Sequence, residues 1–148
     1  MVIGVGEALS GGSVTTIKLH QSPPDLTTVD VGLAGRSAGD ILAFEAKLQG
    51  DSGLTAILNG YNLIMDPASG DQKIEDRFSH IVLDFGNGST IIVAGRSTYQ
   101  PNTLEIANSL PQPRAIIGGT GKYIGARGQV TTVRNEDGSY EHTVELLN

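Results

Sequence analysis

Apolar residues recur along the chain mainly at every second position, in short segments separated by Gly, Pro, Asn and Asp. That is the pattern of half-buried β-strands rather than helices. It predicts strands over residues 14–20, 27–33, 41–48, 54–65, 80–85, 89–95, 129–134 and 139–147. Pro23 and Pro24 must end the first, because proline cannot donate to a ladder. In the third, Leu42, Phe44, Ala46 and Leu48 share one face and Glu45 and Lys47 the other. Gly60 is the expected bend in the long fourth segment. Asn87-Gly88 and Asp137-Gly138 each suit a type I′ hairpin turn. With a two-residue second loop, Arg134 faces Glu141, and Gln129, Thr131, Val133, His142, Val144 and Leu146 form the buried face. Residues 66–77 and 100–113 carry turn residues and charge and read as loops.

Hairpin-connected strands with almost no helical signal leave a sandwich or a closed barrel, and frequent in-strand Gly favours the barrel. The predicted fold is therefore all-β, an eight-stranded antiparallel β-barrel, in one domain over residues 1–148 with 1–12 as a flexible lead. Composition narrows the function. The 148 residues include 20 Gly and no Cys, which excludes disulfides, thiolate metal sites and a cysteine nucleophile. A net charge of −6 argues against nucleic acid as a partner. No signal-peptide pattern is present, and no apolar run approaches the ~20 residues of a membrane span. The expectation is a soluble cytoplasmic protein with no membrane partner.

Several motifs have ordinary readings. Gly35-Arg36-Ser37-Ala38-Gly39 matches the G-x-S-x-G nucleophile elbow, but the βαβ crossovers that motif needs are missing, so a Gly/Ser loop is the better reading. The run from Ile116 to Gly125 looks like a dinucleotide fingerprint with one residue too many, too near the end of the chain for a following βαβ unit. Tyr123 stands where a Walker A loop needs Ser or Thr. His20, His80 and His142 have no ligand-spaced partners, so no metal is expected. A buried His142 reads first as a hydrogen-bonded core residue.

The segment Gly118-Gly119-Thr120-Gly121-Lys122-Tyr123-Ile124-Gly125-Ala126-Arg127-Gly128 resembles the G-G-T-G-x-[FY]-x-x-A-R-G signature of dirigent proteins and allene oxide cyclases. The stretch from Gly39 to Leu48 is similar to the cyclases' G-D-x-x-x-F-x-x-K-L, and Phe85 to Gly95 to a dirigent stretch. The resemblance implies an eight-stranded barrel whose apolar lumen folds a reactive molecule and guides ring closure without a cofactor. Asn59 aligns with a lumen position of the cyclases, Tyr61 shares its strand face and Arg127 lies in the signature. Those three, with Tyr99 and Gln129, are the candidate catalytic residues, aimed at a carbonyl or oxyanion. Leu42, Phe44, Ala46 and His142 are the candidate substrate-binding residues. The function so implied is a cyclase or isomerase of natural-product biosynthesis acting on a hydrophobic small molecule, with a [4+2] cycloaddition in view. The alternative is a non-catalytic binding or templating barrel. The resemblance also implies a homo-oligomer, a dimer or trimer.

Overall fold

A computed structural model describes residues 13–68 and 70–148, so the lead expected over residues 1–12 lies outside the described residues. Nine strands follow one another: β1 (Val14–Gln21), β2 (Asp25–Val29), β3 (Ile41–Gln49), β4 (Thr55–Asp66), β5 (Glu75–Asp84), β6 (Thr90–Tyr99), β7 (Gln112–Thr120), β8 (Gly128–Arg134) and β9 (Tyr140–Leu147). All pairings between them are antiparallel, and each strand from β3 to β9 pairs with the next. β1 pairs with β9 along its length and meets the end of β3 at His20↔Gln49 and Gln21↔Leu48. β2 takes over the rest of β3, from Asp25↔Glu45 to Val29↔Ile41. Pro23 and Pro24 lie between the two, so β1 and β2 act as one strand broken where donors are missing. The result is a closed eight-stranded antiparallel β-barrel. Among the described residues no helix is long and apolar enough to cross a membrane.

The inner side of the barrel divides into two halves. One is filled by Leu19, Leu48, Leu58, Leu83, Ile91, Val93 and their neighbours, a continuous apolar core. The other carries Gln21, Asn62, Glu75, Arg77, Ser79, Ser97, Gln112, Arg114, Thr132 and His142, all buried. The lumen is thus filled by apolar side chains in one half and carries buried polar ones beside apolar ones in the other.

The same division explains where the observed strands depart from the expected ones. β5 starts at Glu75, not at residue 80, because its first inward positions are Glu75, Arg77 and Ser79, and charge there reads as loop. β7, with Gln112 and Arg114 inward and Ala115 and Ile117 outward, shows the alternation inverted and was not expected as a strand. The β8–β9 turn has five residues, 135–139, and pairs Arg134 with Tyr140. Gly138 has φ +85° while Asp137 stays in the ordinary region, so the turn is not type I′. This one-residue slip turns Val130 and Thr132 inward and puts Gln129, Thr131 and Val133 on the outer face. Arg134 accordingly pairs with Glu105 in place of Glu141. The first hairpin does hold the expected positive φ values, +54° at Asn87 and +74° at Gly88, closed by Ser89 N–H to the Gly86 carbonyl at 3.0 Å. Gly60 does not interrupt β4 pairing. Its missing side chain makes room for the Phe44 ring, whose Cε2 lies only 2.7 Å from where a Cβ would stand.

Candidate functional site

Inward polar residues of β4 to β9 meet at one end of the barrel around a cavity of about 50 Å³. Its wall combines Pro24, Leu26, Phe44, Leu58 and Ile81 with Gln21, Asn62, Tyr99, Arg114, Thr132, Tyr140 and His142. Leu104, Glu105 and Ile106, from the loop between β6 and β7, complete the wall. A space of this size accepts a few water-sized groups, far below the ~300–1,000 Å³ of a pocket for a whole organic ligand.

Arg114 is the centre of a hydrogen-bond chain that runs in both directions. Its Nε donates to Ser97 Oγ at 2.6 Å. Ser97 is 2.7 Å from Ser79, Ser79 donates to Asn62 Oδ1, and Asn62 Nδ2 donates to the Tyr99 hydroxyl at 2.8 Å. In the other direction Arg114 Nη1 donates to Thr132 Oγ1 at 3.4 Å, Thr132 is 2.8 Å from His142 Nδ1, and His142 Nε2 is 2.7 Å from Gln21 Oε1. Gln21 Oε1 can only accept, which puts the ring proton on Nε2 and leaves Nδ1 to accept from Thr132. Burial, with Arg114 and His20 nearby, pushes His142 down to about 3, so the ring is neutral and both nitrogens are committed. The Tyr99 hydroxyl accepts from Asn62, while its own proton has no acceptor among the described residues. The Tyr99 ring is fixed as well, with the Arg77 guanidinium 3.7 Å from its centroid.

Two ionic latches hold the loop. Glu75 receives Arg36 through two bonds of 2.7 Å and Arg77 Nε at 2.7 Å. Those guanidiniums donate in turn to the loop backbone: Arg36 to the Thr103 carbonyl at 2.8 Å, Arg77 to the carbonyls of Thr103 and Leu104. Burial alone would raise the Glu75 carboxyl, but Arg36 and Arg77 hold it below the usual carboxylate range. On the far side Glu105 accepts from Arg134 at 2.9 Å and from Tyr140 at 3.1 Å. Burial and the Glu105 charge push the Tyr140 phenol up, so it stays a donor. Glu75→Gln is expected to lower stability by about 3–5 kcal/mol, because it strands the buried Arg77 and the half-buried Arg36. Hydrogen exchange should then quicken over residues 100–111. Unchanged exchange there would mean that the loop does not depend on this latch.

The cavity gathers Phe44, Tyr99 and His142 from the candidates named from sequence. Leu42 and Ala46 are buried on the same side of β3 but do not border it. Asn59 and Tyr61 face outward on β4, Tyr61 against His80 on the outer surface. Arg127 is exposed ahead of β8, and Gln129 bonds Glu145 at 3.1 Å on the outer face. Asn59, Tyr61, Arg127 and Gln129 thus stand apart from the cavity. Asn62, Arg114, Thr132 and Tyr140 border it without having been singled out. Strand parity was the available signal: 112 and 114 continue the inner positions that end at Ile116, just as 75, 77 and 79 continue those of Ile81 and Leu83. Ser37 donates to the Val31 carbonyl at 3.1 Å in a loop organised by Asp40, and no histidine partners it. Among the described residues no three His, Cys, Asp or Glu gather to hold a metal.

Among the described residues the cavity offers donors and no free base, since its acid, Glu105, is ion-paired and its imidazole is neutral and bonded. Such a corner can polarise a carbonyl oxygen, but it is not arranged to abstract a proton.

No family model matches the chain, and no curated protein does. Solved structures do. A pyocyanin demethylase superposes with a TM-score of 0.68 at 20% identity, covering 89% of this chain and 99% of its own. A cyclase described as nonspecifically heme-binding, which catalyses [4+2] cycloaddition during neoabyssomicin biosynthesis, gives 0.65 at 16%, covering 97% and 68%. The Diels Alderase AbmU from Streptomyces koyangensis gives 0.65 at 19%, covering 99% and 75%. The reactions of these proteins differ, and what the likeness establishes for this chain is the fold, a closed eight-stranded barrel of the kind found in barrel cyclases.

Proposed function

We propose that this protein is a cyclase or isomerase of natural-product biosynthesis that needs no cofactor, related to the allene oxide cyclase and dirigent barrels by its glycine signature. A linear, polyketide-like substrate enters when the 100–111 loop lifts and folds against Phe44, Leu58 and Ile81. It presents a carbonyl to Tyr99, and a [4+2] ring closure follows. The observation that carries this reading is the Tyr99 hydroxyl, held at both ring and oxygen with its proton uncommitted, in a cavity that has no free base among the described residues. A pericyclic closure needs confinement and a polarised carbonyl, and moves no proton. The likeness in fold to two proteins of [4+2] chemistry supports the choice.

The test is incubation of the purified protein with linear polyenes that carry a diene and a conjugated carbonyl alkene, followed by chiral chromatography. The expected result is faster closure to one stereoisomer, reduced about 10²-fold in Tyr99→Phe, the usual loss for one preorganised donor. Binding without acceleration or change in stereochemistry would favour the templating barrel. Equal rates for Tyr99→Phe and wild type would remove Tyr99 from the mechanism.

A further inference from the structure

We propose that Arg114 is the anchor for a carboxylate head on the ligand of this cavity. The proposal rests on the reading of the cavity as the substrate site, and it specifies the class of molecule bound there. Four arginines reach the polar end of the barrel, and three are ion-paired: Arg36 and Arg77 share Glu75, and Arg134 meets Glu105. Arg114 is 7% exposed and has no carboxylate within 4.0 Å among the described residues. Its hydrogen-bond partners are neutral hydroxyls, those of Ser97, Thr132 and Tyr99. A buried cation without a counter-charge is costly, and nothing in the fold requires it, since Ser97 also bonds Ser79 and Thr132 also bonds His142.

The surroundings say what would complete it. Arg114 borders the cavity, where burial disfavours its charged form and the nearby Tyr99 phenol offsets this only in part. A cation with no counter-charge, Arg114, and an uncommitted donor, the Tyr99 hydroxyl, thus stand beside a space of about 50 Å³ that suits a carboxylate. Beyond them the wall turns apolar at Phe44, Leu58 and Ile81, which suits an unsaturated hydrocarbon body. An amphipathic conjugated acid matches both parts, while a neutral alcohol of the same length would leave the charge unanswered.

The experiment titrates the full chain with sorbate, a six-carbon conjugated dienoate, and with sorbyl alcohol, by calorimetry at neutral pH. Wild type is expected to bind sorbate at least about tenfold more tightly, as a charge-assisted hydrogen bond provides. Arg114→Gln should bring the two ligands within about twofold, Arg114→Lys should keep most of the preference, and Arg96→Gln on the outer face should leave it intact. Thermal melting of Arg114→Gln should lie at or above wild type, because no partner is orphaned and an unpaired charge is gone. Equal affinity of wild type for acid and alcohol, no sorbate binding by folded wild type at millimolar concentration, or an undiminished preference in Arg114→Gln would each overturn the proposal. Should Arg114→Gln fail to fold, the wild-type comparison and Arg114→Lys decide the matter. Sorbate cannot close a ring, so a kept acid preference with no ring closure retains the anchor and rejects the cyclase. A lost preference with ring closure intact does the reverse.

Discussion

Alanine at Gly128 is expected to leave the chain unable to hold its barrel. Gly128 opens β8 with φ +145°, paired to Ile116 on one side and Leu146 on the other. A Cβ there would stand 1.9 Å from the Glu145 carbonyl oxygen, an overlap with backbone that no rotamer change relieves. β8 and β9 would have to part, and with them the Val130–Val144 contact of the apolar half. The cost should exceed about 4 kcal/mol, a large share of the ~5–15 kcal/mol that holds a typical domain. Within the same signature the other glycines grade the effect. Gly119 and Gly121 face backbone oxygens at 2.4 and 2.6 Å, Gly125 has open space with φ +77°, and Gly118 has open space and an ordinary φ. Chemical denaturation should therefore rank Gly118→Ala nearly neutral, Gly125→Ala at about 1 kcal/mol, and Gly128→Ala worst. If Gly118→Ala proved as harmful as Gly128→Ala, close backbone approach would not be what the glycine run serves. The run that resembled a dinucleotide fingerprint is, on this account, the place where strands and their connecting turn come too close for side chains.

The second large effect is expected in acid. His142 is 4% exposed, and burial first, then Arg114 and His20, push it from the usual 6.5 to about 3. The folded ring therefore stays neutral well below the pH at which the unfolded chain takes up a proton. Its contribution to stability is complete above about pH 6.5 and is lost as pH falls from there toward 3, at a slope approaching about 1.4 kcal/mol per pH unit. Glu75 and Asp40 also have carboxyls held low, Asp40 by the backbone N–H groups of Val31 and Ser37, but they add their share only below the ordinary carboxylate range. The interval from pH 6.5 to 5 thus belongs chiefly to His142. Urea midpoints across it should fall by the equivalent of about 2 kcal/mol for wild type and stay nearly level for His142→Gln, whose amide can still meet Thr132 and Gln21. Parallel slopes for the two proteins, or an NMR titration of His142 near 6.5, would show that the ring is not held neutral by its burial.

The chain's own alternation was enough to identify the barrel and most of its apolar half. Leu42 to Leu48 and the His80 to Phe85 segment place large side chains at every second position, and only a sheet with one dry face satisfies that. The Asn87-Gly88 hairpin was legible for a local reason, since two successive positive φ values admit few residues. The polar end was far less legible. Arg77, Ser79, Ser97, Gln112 and Arg114 point inward along strands whose parity they preserve, but the hydrophobic signal stops where they begin. Strands that turn polar groups into a lumen look like loops to any reading based on apolar period, and functional ends of folds are where such exceptions gather.

What the sequence determined by itself was therefore the class of structure: period-two apolar positions, proline and glycine at the breaks, and a glycine signature leave few options besides a small closed barrel. What only the tertiary structure decided was which residues meet. A five-residue turn in place of two shifted β8 by one position, brought Thr132 beside His142 and Arg114, and sent Gln129 to the outer face. The same closure left Asn59 and Tyr61 outside and drew Asn62 and Tyr99 together across three strands. Side chains on a strand alternate with a period of two, so a single residue of register reverses every assignment, and register is set by contacts far apart in the chain.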